Sequence, residues 1–441
     1  METRIQKYKR FLVYSLVAGL LTLVITGYFY CYSRIPSRIK IRAGMEQTLE
    51  FGVPVTGEFK KKQEYPEAVA VSEQTASNLP ESTVSMELSN CVTLCAMQTE
   101  VYDLSLKLFG LFPLKNVEVE VIEDQALIPA GIPIGIYVKT EGVLVVGVGE
   151  FKGQDGSKRA PSRYLLKTGD YILKVDGQEV LGKADFMERV NCSGGKELIL
   201  SVCREGEIFD VKSKPLVNEN GEYKLGIWIR DNAQGVGTLT FVDPEGNFGA
   251  LGHGINDVDT SELLELESGT LYDTDIIAIR KGISGTPGEM TGLIDYSREN
   301  ILGEITTNSK KGIFGKANDQ LQGRLQLQAM PIALKQELKE GPAQILCTVE
   351  GYTEAYDIEI TALNLDHDNI NRGIMLKITD PRLLEQTGGI VQGMSGAPII
   401  QDGRLAGAVT HVLVQDATRG YGIFIENMLE QLERWHTEDE Q

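Results

Sequence analysis

The sequence predicts a mainly β protein with minor α, headed by one apolar helix and closed by a short amphipathic one. Three observations carry that reading. Residues 11–33 hold no charge; the stretch Val117-Glu-Val-Glu-Val-Ile alternates strictly, as a half-buried strand does; and from there to about residue 427 short β-branched runs are punctuated by Gly, Asn and Asp.

Composition narrows the function classes. With 441 residues, the chain exceeds one ordinary core and suits two or three domains. Hydrophobic residues at 42% and charged residues at 24% exclude a mainly disordered or collagen-like chain. A net charge of -19 repels a phosphate backbone, and no basic stripe interleaved with aromatics offsets it, so nucleic acid is excluded as a partner. Six cysteines are too few for a disulfide scaffold; Cys91 with Cys95, and Cys192 with Cys203, read as free thiols before they read as bridges. Four scattered histidines and no Cys/His cluster imply no metal and no cofactor.

The elements follow in order. Residues 11–33 are long enough to cross a bilayer, and Arg4, Lys7, Lys9 and Arg10 before them favour a cytoplasmic N-terminus, although Arg34, Arg38, Lys40 and Arg42 weaken the asymmetry. The expectation is a signal-anchor over residues 1–33, with a cleaved signal peptide as the alternative; Tyr28, Tyr30 and Tyr32 suit the far interface. Residues 34–100 mix polar residues with Pro54, Pro66 and Pro80 and show no period, which predicts a stalk or linker. Strand signals begin at residue 101. A module over 101–216 and a second domain over 217–441 are expected, with a helix near 425–435 at the end.

Within the first module, Gly169-Asp170 and Asp176-Gly177 are turns on either side of the short strand 172–175. The order Gly-Asp, Ile-Leu, Val-Asp-Gly, Val resembles the PDZ domain of bacterial proteases. That resemblance implies a carboxylate-binding loop at Ile134-Gly135-Ile136, where backbone N–H groups converge on a peptide C-terminus, and an open strand edge over 136–140 to which the peptide adds. A segment of this same chain is one candidate for that peptide ligand.

Two segments carry chemistry. Gly249-Ala-Leu-Gly-His-Gly places His253 between glycines that leave its imidazole accessible. Gly388-Gly-Ile-Val-Gln-Gly-Met-Ser-Gly-Ala-Pro places Ser395 in a turn followed by two strands. A serine hydroxyl needs a base to take its proton, and the oxyanion it forms needs converging N–H donors; Gly393 can turn its own N–H and that of Ser395 toward one point. Strands after the serine suit a chymotrypsin-like hairpin and not the strand-to-helix elbow of α/β-hydrolases. Asp257, Asp366, Asp368 and Asp380 all lie in loops or at strand ends and remain open as the orienting acid. His411 alternates with Thr410 along a strand and reads as structural.

The module, then Gly-His-Gly, then Thr-Asp-Pro-Arg-Leu-Leu-Glu, then Gly-Gly-Ile-Val-Gln-Gly-Met-Ser-Gly, together resemble the sporulation stage IV B peptidase family of endospore-forming bacteria. The resemblance implies His253, Asp380 and Ser395 as the catalytic set and Thr410 as an accessory position. It further implies a membrane-anchored serine endopeptidase in the inner forespore membrane, facing the intermembrane space. There it cleaves a membrane-bound protease regulator and so triggers sigma factor processing. A tethered adaptor without activity is the alternative.

Overall fold

The computed structural model describes residues 4–44, 47–49, 53–61, 84–87, 92–94, 101–325, 327–365 and 367–439. Cys91, Cys95 and Asp366 lie outside them. The chain is mostly β, and it divides into two compact units.

The first unit contains the helix Arg4–Arg34, whose segment Tyr8–Ser33 is long and apolar enough to cross a membrane. Its five-stranded sheet runs in the order Arg38–Arg42, Phe112–Ile122, Val101–Leu108, Val55–Lys61, Val84–Glu87. The strict alternation at 117–121 acts as expected: Val117, Val119 and Val121 are buried with Ile39, Ile41, Leu104 and Leu106, while Glu118 points out to Arg38. The expectation of a loose stalk is corrected here. Ile39 and Ile41 alternate over only five residues, too short a pattern to register in sequence, and the pairing with 112–122 is parallel and 80 residues distant. Strands 101–122 therefore belong to this sheet and not to the following module.

The second unit holds three cores' worth of strands. Gly341–Thr348, Thr353–Leu363, Ile374–Ile378, Asp416–Phe424, Arg404–Leu413 and Pro398–Gln401 close into a barrel. Apart from two small two-stranded sheets, the remaining strands form one extended sheet, threaded by two 16-residue strands, Pro133–Val148 and Ile227–Val242, that pair antiparallel. Their ends serve different cores. Residues 133–140 and 232–242 pack with Asn247–Ala250, Leu266–Arg280, Ile301–Ser309 and Gly312–Ala317 around Ile134, Val138, Leu239 and Leu302. At the other end Val143, Val145, Val148, Ile227 and Ile229 pack with Tyr171–Val175, Leu198–Arg204, Glu207–Ser213 and the helix Lys183–Cys192 around Ile172, Phe186 and Leu200, while Leu144 and Val146 still face the first core.

This threading corrects two expectations. The boundary at 216/217 is crossed, because strand 133–140 completes the core of the later segment. Ile134, Gly135 and Ile136 do not form a carboxylate loop with an open edge beside it. Gly135 pairs with Val236 on one side and Tyr272 on the other, so both strand edges are taken. Ile134 and Ile136 are buried, and a Cβ on Gly135 would collide with Thr274 Oγ1 and Ile294. The glycine is there because two neighbouring strands leave no room above it.

Candidate active site

Ser395 stands in the turn between Val391–Gln392 and Pro398–Gln401. Three bonds from one strand staple that turn: Thr238 N–H donates to Ser395 O at 2.9 Å, Thr238 Oγ1 to Gly393 O at 2.7 Å, and Thr240 Oγ1 to Gly396 O at 2.8 Å. The closed barrel thus has its serine turn fixed from the other core. Gly393 adopts φ +104°, and a Cβ there would meet the Met290 side chain at 2.9 Å. Among the described residues, neither the Gly393 nor the Ser395 N–H donates to a protein acceptor.

His253 follows the strand Asn247–Ala250 through Leu251 and Gly252, at φ +67° and +68°. Leu251 is a buried, β-unfriendly left-handed residue costing about 1 kcal/mol. The glycines around His253 do not open it to solvent as expected. They allow close packing: a Cβ on Gly252 would meet Ile423 at 2.8 Å and Thr410 at 3.0 Å, and the imidazole is half-buried. Nδ1 lies 2.9 Å from Gly254 O, and a carbonyl only accepts, so the tautomer this assigns carries its proton on Nδ1 and a lone pair on Nε2. Burial pushes the imidazole below its ordinary value, with the Gly254 carbonyl opposing.

His253 and Ser395 open onto one cleft of about 550 Å³, whose walls also include Gly393, Thr410, His411 and Ile136. The two side chains are not hydrogen-bonded to each other among the described residues. The Ser395 hydroxyl donates to Thr410 O at 2.8 Å, and Thr410 Oγ1 donates to Asn371 O at 2.6 Å. Thr410, itself buried, is thus the residue against which the serine rests.

Asp380 is not brought to His253. Its carboxylate caps the helix Pro381–Thr387, accepting from Arg382 N–H at 2.9 Å, and pairs with the Arg382 guanidinium at 2.9 and 3.2 Å. Asp357 N–H adds a bond at 3.3 Å. The Arg382 side-chain bonds hold the carboxyl below the usual carboxylate range against the cost of burial. Asp380 does not line the cleft. Asp257 is also committed elsewhere: it is buried, paired with Arg230, and accepts from Asp259 and Thr260 N–H. The side chain of Asp368 and the whole of Asp366 lie outside what is described.

His411 is the residue that pattern reading missed. Strict alternation would put it opposite Thr410, but the ladder of Arg404–Leu413 against Asp416–Phe424 slips between Val409 and His411. That bulge turns both Thr410 and His411 to the cleft, and the His411 ring centroid comes 5.1 Å from that of His253. Desolvation, then His253, then Arg372 push His411 down to about 4. No signal in a single sequence marks such a slip.

Residues 221–429 match the sequence profile described as SpoIVB peptidase S55. No curated protein matches the chain. Among solved structures, the HtrA-type protease AlgW bound to a decapeptide is 11% identical, with 69% of this chain and 64% of that one covered and a TM-score of 0.28. A variant of the same protein is covered over about half its length, 52%. The inactive form of Rv3671c, a protease from M. tuberculosis H37Rv, is 12% identical over 45% of this chain and 83% of that one, with a TM-score of 0.24. Such distant likenesses add nothing to the geometry. Residues 221–429, with His253 and Ser395 among them, thus match the family described as SpoIVB peptidase S55 over a little under half of the chain, and the match supports a serine endopeptidase.

Proposed function

We propose that the full chain is a membrane-anchored serine endopeptidase in which Ser395 is the nucleophile and His253 the general base. The observation that carries this reading is the shared cleft of His253 and Ser395, with the Gly393 turn beside them. In this reading the Ser395 side chain turns away from Thr410 O, to which it donates in the resting state, and gives its proton to the Nε2 lone pair of His253. Oγ then attacks the peptide carbonyl, and the oxyanion is received by the N–H groups of Gly393 and Ser395. The departing amine takes the proton back from Nε2, and water repeats the sequence on the acyl-enzyme. Because the Nδ1 proton is held by Gly254 O, the pair acts as a dyad; Asp380 serves it by fixing the helix that leads into the serine turn. The Tyr8–Ser33 helix supports anchoring, with the catalytic domain outside the cytoplasm. The match of residues 221–429 to the SpoIVB peptidase S55 family supports a membrane-bound regulatory protein as substrate and a place in sporulation signalling, at the inner forespore membrane facing the intermembrane space.

The test is covalent labelling of the full chain in detergent by a fluorophosphonate. Wild type is expected to label at Ser395 and to cleave a protein substrate, and Ser395→Ala to do neither while keeping its melting temperature. A second reading, a tethered adaptor, draws on the Ser395 to Thr410 bond, which leaves the hydroxyl away from the base. Absence of labelling in the wild type over pH 6–9 would favour it.

A further inference from the structure

The cleft holds two imidazoles where serine chemistry needs one. His411 is exposed to the cleft, and among the described residues its ring nitrogens have no hydrogen-bond partner. His253 donates Nδ1–H to a backbone carbonyl, the arrangement that fixes the tautomer of metal-binding histidines and leaves Nε2 free to coordinate. Two rings that share one ion have a set separation. A zinc–nitrogen bond of about 2.1 Å puts the ion about 3.2 Å from a ring centroid, so a tetrahedral angle separates the two centroids by about 5.2 Å. The observed separation is 5.1 Å, with the planes tilted by 40° and not stacked.

We propose that His253 and His411 form a two-imidazole site for a Zn²⁺-class ion, and that the bound ion switches the peptidase off. No third His, Cys, Asp or Glu joins them among the described residues, so the site is completed by water. That open coordination suits reversible inhibition and not a permanent structural metal. The ion takes the Nε2 lone pair that would otherwise receive the Ser395 proton. Two imidazole nitrogens as donors favour a borderline-soft ion over a hard one such as Mg²⁺.

Binding does not depend on the peptidase reading, although the inhibition does. The test therefore uses the full chain carrying Ser395→Ala, purified in detergent, titrated calorimetrically with zinc chloride in a non-chelating buffer. One ion per chain is expected, and His411→Gln or His253→Gln in that background should each weaken its binding at least tenfold, with melting temperatures confirming that each variant is folded. Unchanged affinity in both variants, as from the exposed Cys192 acting instead, or no binding by the parent, overturns the proposal. In chain with Ser395 intact, zinc should inhibit cleavage and Mg²⁺ at the same concentration should not; equal effects of both ions would overturn the switch.

Discussion

The two cores that meet at the cleft are built in opposite ways. The barrel carrying Ser395 is drawn from one uninterrupted stretch, residues 341–424, whereas the core carrying His253 is assembled from residues 126–140 and a second stretch that begins some ninety residues later. Between the two pieces lies the whole module around Phe186 and Leu200. A contiguous barrel lets a motif announce its own surroundings, as the serine turn does. A split core hides its closing strand inside what reads as a neighbouring domain.

That contrast can be tested at four places. His253→Ala removes the base and is expected to lower kcat/KM by about 10³-fold or more with little change in melting temperature. In wild type, burial depresses the imidazole below its ordinary value of about 6.5. The acid limb of kcat/KM should therefore fall at a lower pH than a free histidine would give; an acid limb above that value would contradict the buried dyad.

Next in size is Gly135→Val, which puts a branched side chain between two paired strands against Thr274 and Ile294. Denaturant unfolding should show a loss of about 1–3 kcal/mol or more, with peptidase activity lost in parallel. Reduced docking of a peptide with stability intact would restore the loop reading of Ile134, Gly135 and Ile136.

Asp380→Asn sharpens the role of the acid that the sequence resemblance offers as the third catalytic residue. It keeps some capping but loses the Arg382 ion pair, so stability should fall by about 1–2 kcal/mol while kcat at 20 °C changes only a few-fold. The wild-type contribution has a defined sign. The folded carboxyl is depressed, so its stabilisation is full above the unfolded value of about 3.9 and is lost as pH falls through the folded value. A kcat loss as large as that of His253→Ala, without loss of stability, would make Asp380 catalytic.

The smallest effect is expected for Thr238→Val, which removes the Oγ1 bond to Gly393 O and leaves the backbone bond to Ser395 O in place. About 1 kcal/mol of stability and a several-fold drop in kcat should follow, as the serine turn loosens. An effect confined to KM would mean that this staple does not hold the turn.

The sequence by itself determined the chemistry and the local geometry. Gly393 before Ser395, the polar turns, the alternation of Val117, Val119 and Val121, and the apolar helix over Tyr8–Ser33 are all short-range features, set by φ freedom, period and length. Only the tertiary structure decided which strands close the His253 core, that Asp380 faces Arg382, and that a bulge at Thr410 delivers His411 to the cleft. Those outcomes depend on pairings between residues tens to hundreds of positions apart. A one-residue slip in such a ladder exchanges the buried and open faces of a strand while leaving the sequence pattern unchanged.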